Sequence, residues 1–273
     1  MSDTMRFKDR VAVTVTDHVA EVRLDRPDKL NALDADMFDG LIEAAGWVAE
    51  QETIRVVILC GEGRMFCAGL DFGSFAAMAG GGDREDQVTA GLIDRTHGLA
   101  NRPQYAAFAW RECPVPVIIA IQGGALGGGM QIALAGDMRI ASPDAKIAIA
   151  ETQWGLVPDM SGNVTARGLV REDILRRLTY TAERIDGAKA CDLGLVTETA
   201  EDPLARAREI AAQIAGRSPS AIRGAKRLMD ALADGNTEDL LMAESREQAA
   251  IIGKPHQVEA VMANLEKRSP KFD

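Results

Sequence analysis

The stretch from Val117 to Gly136 constrains the fold more than any other part of the chain. It is almost continuously apolar and about as long as a membrane span. However, Gln122, Gln131 and six glycines interrupt it, and Pro114 and Pro116 precede it. A buried strand over Val117 to Ile121, a tight glycine loop and a buried helix through Ile132 and Leu134 account for it better, and no membrane association is expected. The same alternation recurs along the chain. Val11 to Val15 and Val19 to Leu24 read as strands around a tight turn. Met37, Leu41, Ala45 and Val48 follow at helical spacing behind Asp34 and Asp36. Val56 to Cys60 is a buried strand ended by Gly61.

Met138 to Ala141 and Lys146 to Ala150 are further strands, followed by a helix through Ile174, Leu175 and Leu178 and a short one from Asp186 to Gly194. Strands alternating with helices predict an α/β architecture. The FGSFAAMAGGGDREDQV segment, residues 72–88, can bury little and reads as a mobile loop or lid. From Asp202 onward the pattern is helix alone: one through Ile210 and Ile214, one from Ser218-Pro219, one from Thr237, and one through Val258, Met262 and Leu265. The boundary falls near residue 200, dividing a core (1–200) from a helical region (201–273) that packs on its own core or on a neighbouring subunit. Met37, Met229, Met242 and Met262 read as core filler.

Composition removes several function classes. With 31 basic and 41 acidic side chains the formal charge is −10, which argues against unspecific nucleic-acid binding. Cys60, Cys67, Cys113 and Cys191 form no CxxC, as suits a reduced cytoplasmic protein. His18, His97 and His256 lie far apart without metal-ligand spacing, so no metal site is expected. MSDTMRFKDR has no apolar export core, and no GxSxG or phosphate-binding GK[ST] loop occurs.

Three segments remain. MFCAGLDF (65–72) follows a buried strand, and GGALGGGMQIALAGD (123–137) leads a strand into a helix through consecutive glycines. Backbone N–H groups in such turns, and at a helix start, lack internal acceptors. Two aimed at one point form an oxyanion hole; tight strand–helix packing alone would also explain the glycines. In AETQWGLVPDMSG (150–162), Glu151 and Asp159 flank a Gly155–Pro158 turn. They are either solvated loop acids or a proton-transfer pair, with Trp154 a packing residue between them.

In the order RLDRPDKLNALD, GRMFCAGLDF, AIQGGALGGGMQIALAGDMRIAS, AETQWGLVPD, the chain resembles the crotonase, or enoyl-CoA hydratase/isomerase, superfamily. The resemblance runs from Val11 to the C-terminal helices. It implies a spiral of repeated ββα units with a C-terminal helical trimerisation region, trimers sometimes pairing to hexamers. It also implies an acyl-CoA thioester substrate and a place in fatty acid metabolism. No separate cofactor is implied, since coenzyme A is part of the substrate. The implied oxyanion donors are the backbone N–H groups of Leu70 and Gly128. Ala68 and Asp71 would flank the pantetheine and thioester, Phe72 would be a further substrate-binding residue, and Lys29 would lie near the nucleotide of the coenzyme.

Hydratases of this superfamily carry two glutamates. The second is present here as Glu151; the first position holds Gln131, which cannot exchange a proton at neutral pH. One-glutamate members move a proton along the acyl chain, so double-bond isomerisation with Glu151 as acid and base is the first expectation. Hydration (a lyase reaction) with Asp159 in place of the missing glutamate is the second. A non-catalytic acyl-CoA-binding or interaction protein is the third. Gln131 is expected about one water away from Glu151.

Overall fold

Two strands are buried at every position, and they organise the sheet: β4 (Val56–Gly61) and β5 (Val117–Ile121). Side chains alternate across a strand, so each feeds two cores. Val57, Leu59, Val117 and Ile119 face one core, and Val56, Ile58, Ile118 and Ala120 face the other. Each of these valine, leucine and isoleucine side chains withdrawn from water is worth about 1.5–3 kcal/mol. Strands β1 (Thr4–Phe7), β2 (Val11–Thr16), β3 (Val19–Leu24), β7 (Met138–Ala141) and β9 (Glu198–Thr199) complete a seven-stranded sheet in the order β1-β2-β3-β4-β5-β7-β9. The pairs β1–β2 and β2–β3 are antiparallel and the rest parallel. A separate parallel pair, β6 (Gly124–Leu126) with β8 (Lys146–Ala148), carries the glycine loop; β8 is shorter than the strand expected to reach Ala150. The computed structural model describes residues 4–71, 73, 91–233 and 235–272. The expected lid over 72–88, Phe72 included, lies outside the described residues apart from Gly73.

Helix α1 (Ala35–Glu50) starts where the Asp34 carboxylate accepts the Met37 N–H, and it lays Met37, Leu41, Ala45 and Val48 on the first core. Beside it runs α2 (Arg102–Arg111), which sequence periodicity did not announce because its buried positions are mostly alanines. Its start is secured by reciprocal hydrogen bonds between Asn101 and Gln104. Next come α3 (Gly128–Ala135), α4 (Gly162–Thr165), α5 (Glu172–Thr181) and α6 (Gly187–Asp192).

The helices beyond residue 200 divide into two kinds. Helix α7 (Pro203–Ala215) closes the second core, with Ala207, Ala211 and Ala215 packed among the β4 and β5 side chains. Helix α8 (Pro219–Ala231) is tied back by the buried Lys226, whose ammonium lies 2.8 Å from Asp137. Helix α9 (Thr237–Ile251) buries no residue, and α10 (Pro255–Leu265) buries only Ala263. The methionine expectation therefore needs correction. Met37 is core, but Met229, Met242 and Met262 are 57%, 49% and 42% exposed, because their helices lie outside both faces of the sheet. Among the described residues, no helix is long and apolar enough to cross a membrane.

Candidate active site

The two glycine segments lie against each other. Phe66 donates its N–H to Gln122 O (3.0 Å), Cys67 to Gly124 O (3.2 Å), and Leu126 to Cys67 O (3.0 Å). On the other side of the 65–71 segment, Leu33 donates to Gly69 O (2.8 Å) and accepts from Asp71 N–H (3.0 Å), a parallel bridge opposite Leu70. In that register the Leu70 N–H points away from Leu33, and no described residue accepts it. Gly69 has φ +89, and a Cβ there would lie 2.7 Å from Leu126 O and 3.8 Å from Gly128 N, so this approach needs glycine. Gly128 opens α3. Its N–H is likewise without an acceptor among the described residues, whereas Met130 and Gln131 already donate to Gly127 O. Two free donors thus sit on adjoining loops, one at the positive end of a helix.

The acid lies beneath them. Glu151 opens a one-turn helix, Glu151–Trp154, after the two residues that follow the end of β8. A Cβ on Gly127 would stand 3.4 Å from Glu151 Oε1, which puts the carboxylate against the loop carrying Gly128. Glu151 is buried. Its Oε1 accepts from Gln131 Nε2 at 2.6 Å, and its Oε2 has no partner among the described residues. Gln131, 1% exposed, is therefore in direct contact with the acid rather than a water apart. That corrects the spacing expected from sequence: the pitch of α3 brings the amide onto Glu151, and the 159–162 loop presses it there. Gln131 Oε1 accepts the N–H groups of Met160 (2.8 Å) and Gly162 (3.1 Å).

Burial pushes the Glu151 carboxyl above the ordinary glutamate range, and the charge of Asp159 adds to the rise. Asp159 is exposed as a residue, yet desolvation of its carboxyl raises it as well. Between Met160 and Gly162, Ser161 holds a left-handed conformation (φ 66) with its buried hydroxyl unpaired among the described residues.

The remaining sequence candidates fall as follows. Lys29 is exposed on the turn Pro27–Lys29. Ala68 is half-buried and donates to Leu30 O (3.0 Å). Asp71 accepts from Arg26 (2.7 Å) and from Gly73 N–H (2.7 Å), and the guanidinium holds its carboxyl below the usual range. Its charge is thus spent on the loop. Trp154 is 47% exposed. Sequence reasoning missed Asn31, fully buried, which accepts from Arg26 N–H and donates to Glu62 O and Met65 O, pinning the turn before the donor loop. A lone asparagine in a loop gives no sign of that role. The Cys67 thiol beside it is pushed up to about 12 by burial, which removes it as a nucleophile. No group of three or more metal-ligating side chains occurs among the described residues. A surface depression of about 610 Å³ between β3 and α7, lined by Glu21, Arg23 and Arg208, contains none of these residues.

The family model of enoyl-CoA hydratase/isomerase matches residues 14–273. The chain belongs to this family. It is 31% identical over 260-odd residues to the mouse mitochondrial enoyl-CoA hydratase domain-containing protein 2 (261 residues; 93% of this chain, 84% of the relative). It is 29% identical to the mouse mitochondrial Delta(3,5)-Delta(2,4)-dienoyl-CoA isomerase, over 93% of this chain and 78% of that one. The crystal structure of enoyl-CoA hydratase from Bacillus anthracis superposes with a TM-score of 0.86 at 30% identity, covering 96% and 98% of the two chains. The fold is the crotonase fold, and the chain is a family enzyme.

Proposed function

We propose that the protein isomerises the double bond of an enoyl-CoA thioester, with Glu151 as the single proton carrier. The observation that carries this reading is the direct Gln131–Glu151 hydrogen bond, because it sets an amide where a second acid would have to hold and activate water. Glu151 Oε2 takes a proton from C2 of a 3-enoyl thioester. The C2–H electron pair forms C2=C1, and the negative charge collects on the thioester oxygen, held by the Leu70 and Gly128 N–H groups. Collapse of this dienolate forms C2=C3, and C4 takes the same proton back from Glu151. The product is the 2-enoyl thioester and no other reactant is consumed. Coenzyme A enters as part of the substrate, and no separate cofactor takes part.

Ala68 and Asp71 lie on the loop that carries the Leu70 donor, and the exposed Lys29 is the cation for the phosphates of the coenzyme. The exposed apolar stripes of α8–α10 support a homotrimer or dimer of trimers, for which light scattering should give a multiple of the 29.2 kDa chain. The four free thiols support a reducing, cytoplasmic setting. A second reading, hydration with Asp159 as the other acid, is favoured by the charge that Asp159 imposes on Glu151. A panel of 2-, 3- and 2,4-unsaturated CoA esters tests both. Isomerisation of 3-enoyl esters with slow hydration of crotonyl-CoA is expected. Brisk hydration that Asp159→Asn abolishes would overturn the isomerase reading.

A further inference from the structure

The geometry points to Gln131 as a positioning residue: its amide is locked in one direction, so that Nε2 holds Glu151 Oε1 and leaves Oε2 as the oxygen that moves the proton. This rests on the reading of Glu151 as the proton carrier and deepens it. An amide can face either way in a symmetric site, but this site is not symmetric. On one side stand two backbone donors, Met160 N–H at 2.8 Å and Gly162 N–H at 3.1 Å, which only a carbonyl oxygen satisfies. On the other stands a carboxylate oxygen at 2.6 Å, which only an N–H satisfies when it is ionised. Turning the amide over would exchange three hydrogen bonds for three like-pole contacts, in a place too buried for water to relieve them. The loop closes this tightly because residue 162 is glycine: a Cβ there would lie 2.8 Å from both Cγ and Oε1 of Gln131.

Two consequences follow for Glu151. The Nε2–H donor stabilises the carboxylate form, against the burial and the Asp159 charge that favour the protonated form. It also occupies Oε1, and Oε2 alone has no partner among the described residues. No described cation relieves the acid from elsewhere. Helices α3 and α4 carry no charged side chain, and Arg176 and Arg177 of α5, which packs on the Glu151 turn, pair with Glu172 and Glu183. Gln131 thus moderates, from outside the reacting atoms, the basicity that burial gives Glu151.

Carbon-13 labelling at glutamate Cδ, with Glu151 assigned by loss of its signal in Glu151→Gln, tests this in the whole free protein. Gln131→Glu keeps the acceptor for Met160 and Gly162 but replaces the donor with a carboxyl. Glu151 should then titrate in two coupled steps, the upper one at least about tenfold higher in proton affinity than wild type. Gln131→Met removes the donor to Glu151 together with the acceptor of Met160 and Gly162 but adds no charge, and should raise a single step, while the acid limb of kcat for 3-hexenoyl-CoA isomerisation moves upward with it. In wild type, the Gln131 side-chain amide signals should shift with the same midpoint as Glu151 Cδ, a measurement that survives if a variant fails to fold. Absence of that common midpoint, or a folded Gln131→Glu protein with the Glu151 titration unmoved, overturns the assignment. A titration that moves in the variants, together with a wild-type protein that shows no isomerase activity, upholds the positioning role and removes the isomerase reading instead.

Discussion

The site has two halves built on different principles. On the donor half, the proposed chemistry falls to the unpaired backbone N–H groups of Leu70 and Gly128 rather than to side chains. On the acid half, the proposed chemistry falls to the Glu151 side chain, and the backbone N–H groups of Met160 and Gly162 hold Gln131 in place. Substitution should therefore read out in opposite senses. On the donor half the side chain of Leu70 is nearly free to change, while Gly69 beside it, and Gly128, whose added Cβ would lie 2.8 Å from Leu33 and Met160, are not. On the acid half the functional residue cannot change at all.

The largest effect expected is from Glu151→Gln, which should slow exchange of acyl protons with D₂O by ~10²–10⁴-fold while CoA affinity stays within a few-fold; unchanged exchange would move the base to Asp159. Next is Gly69→Ala. The new methyl meets Leu126 O at a φ of +89, shifts the Leu70 donor, and should cost ~10²–10³ in kcat. Leu70→Ala should leave kcat within a few-fold, and a large loss there would break the contrast between the halves.

A smaller effect concerns stability. Burial raises the folded-state pKa of Glu151 above its ordinary 4.5, so its protonated form stabilises the fold below that value, and this is lost as pH rises through the raised one. Glu151→Gln should remove that decline and raise Tm near pH 8 by roughly 1–4 °C, measured by calorimetry. Smallest is Ser161→Gly. Relief of the left-handed conformation outweighs the extra freedom of the unfolded chain and should stabilise by about 0.5–1 kcal/mol in urea unfolding.

The same division explains what could be read in advance. The glycine segments that carry Leu70 and Gly128 are legible as tight turns beside buried strands, but the choice of these two residues as donors comes from the family resemblance and not from the spacing. The strands are legible because β4 and β5 must be apolar on both faces. Helix α2 is not, since Ala106, Ala107 and Ala109 fill its contact face without a strong apolar rhythm. The contact between Gln131 and Glu151 is not legible either. It depends on where the 159–162 loop returns, a matter of packing across twenty residues and more. Likewise, periodicity marks Met229 and Met262 as one face of a helix, but what that face meets is not written in the helix itself.

Helix α7 has a consequence for how the molecule comes into being. The face of the sheet formed by Val56, Ile58, Ile118 and Ala120 is covered by Ala207, Ala211 and Ala215, which emerge from the ribosome nearly a hundred residues after Ile118. At about 5–20 residues per second, that face waits roughly 5–20 s for its cover. During that interval a growing chain already holding both glycine loops presents a flat aliphatic surface to the cell. Its birth is therefore a race between synthesis and clumping, and a nascent-chain chaperone has most to offer between those two moments.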